Sequence, residues 1–352
     1  MKLAKNGLEP WSDMVIDICL DQANTHTSGN LRVEYTGVSE SLDRALCILV
    51  NYNQSIFHHV LGIHFERLLM GATASVMAIM AIESSRKGNR TSILLGLYPI
   101  LLFFANSVGI SVIFLAIWIP VCLFNQSEHK KSDEWAIVSR SRAFGIVTAI
   151  LVGFGIPACY LTSSLVPHNS EIEQNGLAIW QFMPFLVVPL FYAFEQVFEF
   201  VGSYIDQVAD QDMRHRLYIS EGRDACEKTF LLLGILNMFL YQGTFVMMKW
   251  SGIHIVDALT MLLKAPGSLP AGLTFAEIGQ ILSTRTGLLD YISLTSGFVI
   301  WAGFSSGLRE AITVVLLSLV VGPAAAGCFY AYYREGCIQY ITKTTYTVEK
   351  TT

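Results

Sequence analysis

Charge is what this sequence has least of. Asp, Glu, Lys and Arg make up 14% of its 352 residues while apolar residues make up 53%, and the mean hydropathy is +0.48. A water-soluble domain of this length is excluded by that balance. The charge that is present leans acidic, with a net value of −5 and a pI near 5.9, so no basic surface is offered to nucleic acid. The seven cysteines stand singly without a Cys-x-x-Cys pair. Cys122, Cys159 and Cys328 fall inside apolar runs, where a thiol behaves as a small hydrophobe, and the set predicts neither a disulfide framework nor a metal site. A Gly-x-Gly-x-x-Gly loop, a serine or cysteine nucleophile motif, a low-complexity tract and an internal repeat are also missing. The last of these weakens a transporter built from inverted halves. The longest apolar run before residue 56, Val15-Ile16-Asp17-Ile18-Cys19-Leu20, is broken by an aspartate. No cleavable signal peptide is therefore expected, and insertion falls to the first internal helix.

What is present is a series of apolar stretches near 61–83, 92–125, 142–164, 177–202, 229–249, 287–305 and 310–332, each long enough to cross a hydrocarbon layer of about 30 Å. The stretch 92–125 is too long for one crossing and is interrupted at Ala105-Asn106-Ser107-Val108-Gly109, which predicts a tight turn between two helices. The expected fold is an all-α polytopic membrane bundle of eight transmembrane helices over 57–333, with a polar region at 1–56 outside the bilayer and a polar tail at 334–352. Basic residues cluster at Arg86, Lys87 and Arg90, at Lys130, Lys131, Arg140 and Arg142, and at Arg214, Arg216, Arg223 and Lys228, whereas 106–109 and 165–176 carry none. Eight helices put those basic loops on the cytosolic side and both termini in the lumen. A multi-pass protein of the endoplasmic reticulum is the expectation.

The segment 176–204 is a membrane helix bearing two carboxylates, Glu195 and Glu199. An ionisable group near the bilayer centre costs about 2.5–3.5 kcal/mol even on lenient scales, so it usually faces a bundle interior and serves a function. Glu195 and Glu199 lie one turn apart on a face shared with Phe191, Tyr192 and Phe198, after Pro184 and Pro189, which open a helix toward a cavity. Desolvation and a second carboxylate favour a neutral acid there, able to donate a proton. Asp290 lies about one turn into the seventh expected helix, where an acid also complements the helix dipole. Asn237 sits amid Leu, Phe and Met, as interhelical glue or to orient a substrate.

His58, His59, His64, Glu66 and Arg67 precede the apolar run of the first helix. Adjacent histidines point apart on a helix and no second ligand-rich segment matches them, so an amphipathic start to that helix is the expected role. Asp206, Asp210 and Asp212, and earlier Asp13, Asp17 and Asp21, repeat at a spacing with which membrane aromatic prenyltransferases hold magnesium and a diphosphate. An acidic solvated face explains the second run equally well.

Eight expected helices, a polar N-terminal stretch and the acid-bearing aromatic helix Phe191-Tyr192-Ala-Phe194-Glu195-Gln-Val-Phe198-Glu199 together resemble the fungal integral-membrane terpene cyclases of meroterpenoid and indole-diterpene pathways, of the ascochlorin, ascofuranone and macrophorin type. That resemblance implies a non-redox cyclisation of a farnesyl-bearing aromatic, begun by protonating a terminal epoxide or alkene and ended by proton loss or hydroxyl capture. A type II cyclisation of this kind needs one strong acid, a dry cavity and electron-rich faces along the cation's path. Glu195, Glu199 and Asp290 are the candidate catalytic residues, with Trp180, Phe191, Tyr192, Phe198, Asn237, Tyr241 and Trp301 as substrate-binding candidates. The expected partners are a lipophilic isoprenoid that partitions into the bilayer and the membrane lipid itself, with no cofactor and no metal. The alternatives are a magnesium-dependent aromatic prenyltransferase and a proton-coupled transporter.

Overall fold

The computed structural model describes residues 34–90, 92–129, 135–202, 209–254 and 273–349, with single positions 15, 19, 32, 256, 259, 260 and 262. It is an all-α polytopic membrane bundle, 85% helical, with no strand among the described residues. The helices are α1 Glu40–His58, α2 Gly62–Ser85, α3 Tyr98–Val108, α4 over 110–129, α5 Arg140–Leu161, α6 Glu171–Trp180, α7 Met183–Phe200, α8 Gln211–Trp250, α9 Phe275–Ser306, α10 Leu308–Val321 and α11 Pro323–Glu349. Five of them, α2, α5, α7, α8 and α9, are long and apolar enough to cross a membrane. Exposed Phe104, Phe239, Phe304, Leu316, Leu319 and Val320 form the kind of surface that lipid rather than water covers.

Local chemistry explains the helix breaks. The expected turn within 92–125 falls at Gly109, whose φ of 95° ends α3 in a conformation that costs glycine little. Asn125 donates to Ser92 Oγ at 2.9 Å, so α3 and α4 fold back on each other as a hairpin. Residues 310–332, read as one crossing, are instead divided at Gly322, where φ is 92°, and α10 packs along α11. Two π-helical turns, Ile113–Trp118 and Leu151–Gly155, each lie just before a proline, Pro120 and Pro157. A proline lacks the N–H that would bond four residues back, and the wider turn accommodates the gap.

The chain divides into two compact units. The first comprises 1–70, 157–182 and 243–291, the second 71–156, 183–242 and 292–352. In the first unit, Val15, Cys19, Cys47 and Leu282 form a buried cluster flanked by Tyr35, Ile48, Tyr52 and Ile278. Cys19 and Cys47 are joined as a disulfide, which corrects the expectation that the cysteines form no bridge. Single cysteines in sequence carry no pairing signal, and only the burial of Val15 and Cys19 in one cluster with Cys47 and Leu282 brings the two together. The Asp43 side chain gathers the turn before α1, accepting from the N–H groups of Thr36 at 2.6 Å, Gly37 at 3.0 Å and Tyr35 at 3.2 Å and from the Thr36 hydroxyl at 2.8 Å.

In the second unit α5 and α7 pack closely because α5 presents glycine. A Cβ on Gly145 would stand 2.9 Å from the Glu195 backbone nitrogen, and one on Gly153 would stand 2.8 Å from Leu190. Small residues two turns apart on one face permit that approach in a membrane.

Candidate functional site

Two groups of ionisable side chains stand out, one in each unit, and their charge balance differs. In the second unit Glu83, Arg86, Arg334 and Glu335 are 1%, 0%, 4% and 1% exposed. Arg86 donates to Glu83 at 2.8 Å, to the Ala136 carbonyl at 2.9 Å and to Glu335 Oε2 at 3.3 Å, and it makes a further close bond to Glu335 Oε1. Arg334 pairs with Glu83, to which Gln126 also donates at 3.2 Å. The guanidinium groups of Arg334 and Arg86 lie 5.2 Å and 5.9 Å from the rings of Trp301 and Trp135. Two cations meet two anions with most donors engaged, the condition under which buried ions are tolerated. The carboxylates here are committed to arginine, which fits an internal clamp joining α2, α11 and the segment before α5 rather than a proton donor.

The first unit holds one buried carboxyl, Glu66, without such compensation. Glu66 on α2 is 8% exposed and makes no ion pair or hydrogen bond among the described residues. Asp290 on α9 is close enough to act on it electrostatically, and both act on the Tyr52 phenol of α1, which also bonds to Thr286. Burial, then the charges of Glu66 and Asp290, push the Tyr52 hydroxyl well above its ordinary range, with the Thr286 bond opposing. Gly287 makes room on α9, since a Cβ there would lie 3.7 Å from Glu66 Oε2. Thr286, Gly287 and Asp290 present one face of α9 to Tyr52 and Glu66. Phe57, Phe65, Trp180 and Tyr291 are buried aromatics of the same unit.

The residues expected from sequence are distributed between the units. Asp290 and Trp180 belong to the first, and Glu195, Glu199, Phe191, Tyr192, Phe198, Asn237, Tyr241 and Trp301 to the second. Glu195 is half-buried with its carboxylate 3.8 Å from Arg142, whose guanidinium lies 5.1 Å from the Phe191 ring. Glu199 is exposed and accepts from Gln196 at 3.5 Å. Phe191 is buried, Tyr192 is exposed, and Phe198 packs against Phe144 at 5.7 Å. Asn237 donates to Ser75 Oγ at 3.0 Å and to the Leu233 carbonyl at 2.9 Å, the interhelical role weighed for it. Tyr241 lies against Gly322, and Trp301 is fully buried edge-on to Tyr330 at 5.0 Å.

Sequence reasoning passed over Glu66. Its signal was a carboxylate four residues into a crossing helix, discounted because the neighbouring histidines and arginine read as an amphipathic start. Of the aspartate runs, Asp13, Asp17, Asp21 and Asp206 lie outside the described residues. Asp210 caps α8, accepting from the N–H groups of Asp212 at 2.9 Å and Met213 at 3.2 Å, a structural role for that carboxylate.

Comparison with known families gives one match. Residues 3–221 match the CtvD domain, a family of fungal meroterpenoid pathways. Neither a curated protein nor a solved structure matches the chain.

Proposed function

We start from the fact that the chain belongs to the CtvD domain family and propose that it is a membrane-bound type II terpene cyclase of secondary metabolism, with Glu66 as its proton donor. The observation that carries the proposal is a buried carboxyl without a countercharge among the described residues, set beside Asp290 and Tyr52. Moving an isolated carboxylate out of water costs far more than keeping it protonated, so a group in this setting is suited to deliver a proton rather than to hold a charge.

The step balances without a co-reactant. The Glu66 proton goes to the terminal epoxide oxygen or alkene carbon of a farnesyl-bearing aromatic. The resulting cation is attacked in turn by the chain's double bonds, and the last cation loses a proton or is captured by a hydroxyl of the substrate, which gives up its own. In this reading Asp290 receives the proton that the last cation or the hydroxyl gives up and passes it back to Glu66. Trp180, Phe57, Phe65 and Tyr291 offer π faces, each worth about 2 kcal/mol or more to a desolvated cation when one lies over the ring. A substrate with a long hydrocarbon tail reaches such an enzyme through the bilayer.

The sequence-based assignment of Glu195 and Glu199 is the second reading. It is favoured by the half-burial of Glu195 and opposed by the Arg142 guanidinium 3.8 Å away, a partner that Glu66 lacks among the described residues. The Cys19–Cys47 bridge supports an oxidising lumen on the side of the N-terminal region, as in the endoplasmic reticulum. The test is to incubate membranes containing the chain with epoxidised and unepoxidised farnesyl-aromatics, with magnesium omitted. The expected product is cyclic and isomeric with its substrate. A product heavier by an isoprenoid unit, formed only with magnesium and with diphosphate released, would establish the prenyltransferase instead.

A further inference from the structure

The first unit contains a second convergence of side chains that the proposed chemistry does not use. His58 ends α1, and His168 lies in the segment that leads into α6. The His58 Nε2 atom is 3.0 Å from Glu173 Oε1 and 3.2 Å from Oε2, and His168 Nδ1 is 3.5 Å from Oε1. The two imidazoles meet edge to face with centroids 4.5 Å apart, so their nitrogens are aimed at one carboxylate. One ligand atom from each of the three residues lies within 4.8 Å of the others.

We propose that His58, His168 and Glu173 form a site for a divalent transition metal of the zinc class, which ties the end of α1 to the segment before α6. Ligands at about 2.0–2.1 Å around a tetrahedral zinc ion stand roughly 3.3–3.5 Å apart. The separations of 3.0 Å and 3.5 Å already present require shifts of only a few tenths of an ångström for those pairs. Two imidazoles and one carboxylate favour zinc or a neighbouring transition ion over magnesium, which prefers oxygen. The site is thus distinct from the magnesium that a prenyl transfer would need.

The surroundings of Glu173 resemble the outer shell of a metal ligand. Gln54 donates to its Oε2 at 2.9 Å and the Asn169 N–H at 2.8 Å, which fixes the carboxylate plane and leaves Oε1 between the two rings. Asn169 aims its N–H there by adopting a φ of 58°, a left-handed conformation that asparagine tolerates better than most residues. Ser170 caps α6, its Oγ accepting the Glu173 N–H at 3.1 Å, and so sets the helix register that presents the carboxylate. The Glu173 side chain is 3% exposed and that of His168 is 63% exposed. Solvent can therefore deliver the ion and supply a fourth ligand.

The test uses the full-length chain, purified in detergent through an affinity tag without histidine. After dialysis against metal-free buffer, zinc chloride is titrated and bound zinc is counted by mass spectrometry. The expected result is about one zinc ion per chain in the wild type and none in His168→Ala, with zinc chloride raising the thermal midpoint of the wild type only. Cobalt(II) chloride should give the visible absorption of a tetrahedral ion in the wild type, and His168→Cys should recover binding that His168→Ala loses. Equal zinc content in wild type and His168→Ala would overturn the proposal, as would a wild type that binds no zinc and gains no thermal stability. These readouts do not depend on whether Glu66 protonates a polyene, so each proposal fails separately.

Discussion

Replacing Glu66 by glutamine tests the proposed acid with the least disturbance of packing. The amide keeps the volume and a hydrogen-bonding end but has no proton to give. A positioned general acid contributes about 10²–10⁴ in rate, or about 3–5 kcal/mol of barrier, and Glu66→Gln is expected to lose that much. Glu195→Gln is the comparison. It breaks a pair separated by 3.8 Å at a half-buried position, an interaction worth no more than about 1 kcal/mol, equivalent to about a fivefold change. The two variants should therefore differ by more than about 20-fold in the initial rate of isomer formation, with Asp290→Asn between them because it removes the neighbouring charge but leaves the donor. The assay follows isomeric product by mass in membranes matched for protein content, with size-exclusion profiles in detergent as the control for folding. Full activity in Glu66→Gln together with collapse in Glu195→Gln would refute the reasoning and return the acid to α7.

The remaining predictions concern stability. Arg334→Met leaves the carboxylates of Glu83 and Glu335, each 1% exposed, to share the single guanidinium of Arg86. A loss of about 3–5 kcal/mol is expected, read as a lower midpoint of thermal aggregation in detergent, whereas replacing Glu83, Arg86, Arg334 and Glu335 together by apolar residues of similar volume should recover most of it; an unchanged midpoint in Arg334→Met would show that the four charges are not coupled. The backbone N–H of Thr36, with its hydroxyl and the N–H groups of Tyr35 and Gly37, holds the Asp43 carboxyl below its ordinary value of 3.8, despite some opposing desolvation. A depressed folded-state value means the contribution is complete above that ordinary value and is lost as the pH falls through the folded one. Limited proteolysis should then find the turn before α1 protected at about pH 6 and opened once the pH has fallen through the depressed folded-state value, with Asp43→Asn cut readily in both conditions.

Glu83 and Glu66 explain why charge balance, more than burial, separates a structural clamp from a candidate reactive centre. Glu83 and Glu66 lie on the same helix, and both are nearly inaccessible. One meets two guanidinium groups, while the other meets a second carboxyl and a phenol. A short window of sequence cannot distinguish them, because each residue's partner is supplied by a distant segment. Arg86 and Glu335 are 249 positions apart, and Asp290 reaches Glu66 only because α9 packs beside the start of α2. The placement of His168 and Glu173 beside His58 has the same origin.

Much else was legible from local physics. Low charge and long apolar runs determined an all-α membrane bundle, since a backbone in lipid must satisfy its own hydrogen bonds and a helix does so within one segment. The α3–α4 hairpin followed from an overlong run broken at Asn106, Ser107 and Gly109. The break at Gly322 was missed because a single glycine inside an apolar run gives no sign of its φ. Sequence by itself thus decided that the chain is a helical membrane bundle and that the run 92–125 bends near Gly109. Tertiary structure alone decided which acids are paired with cations, which are left without one and which cysteines join, because those properties depend on energies between residues far apart in the chain.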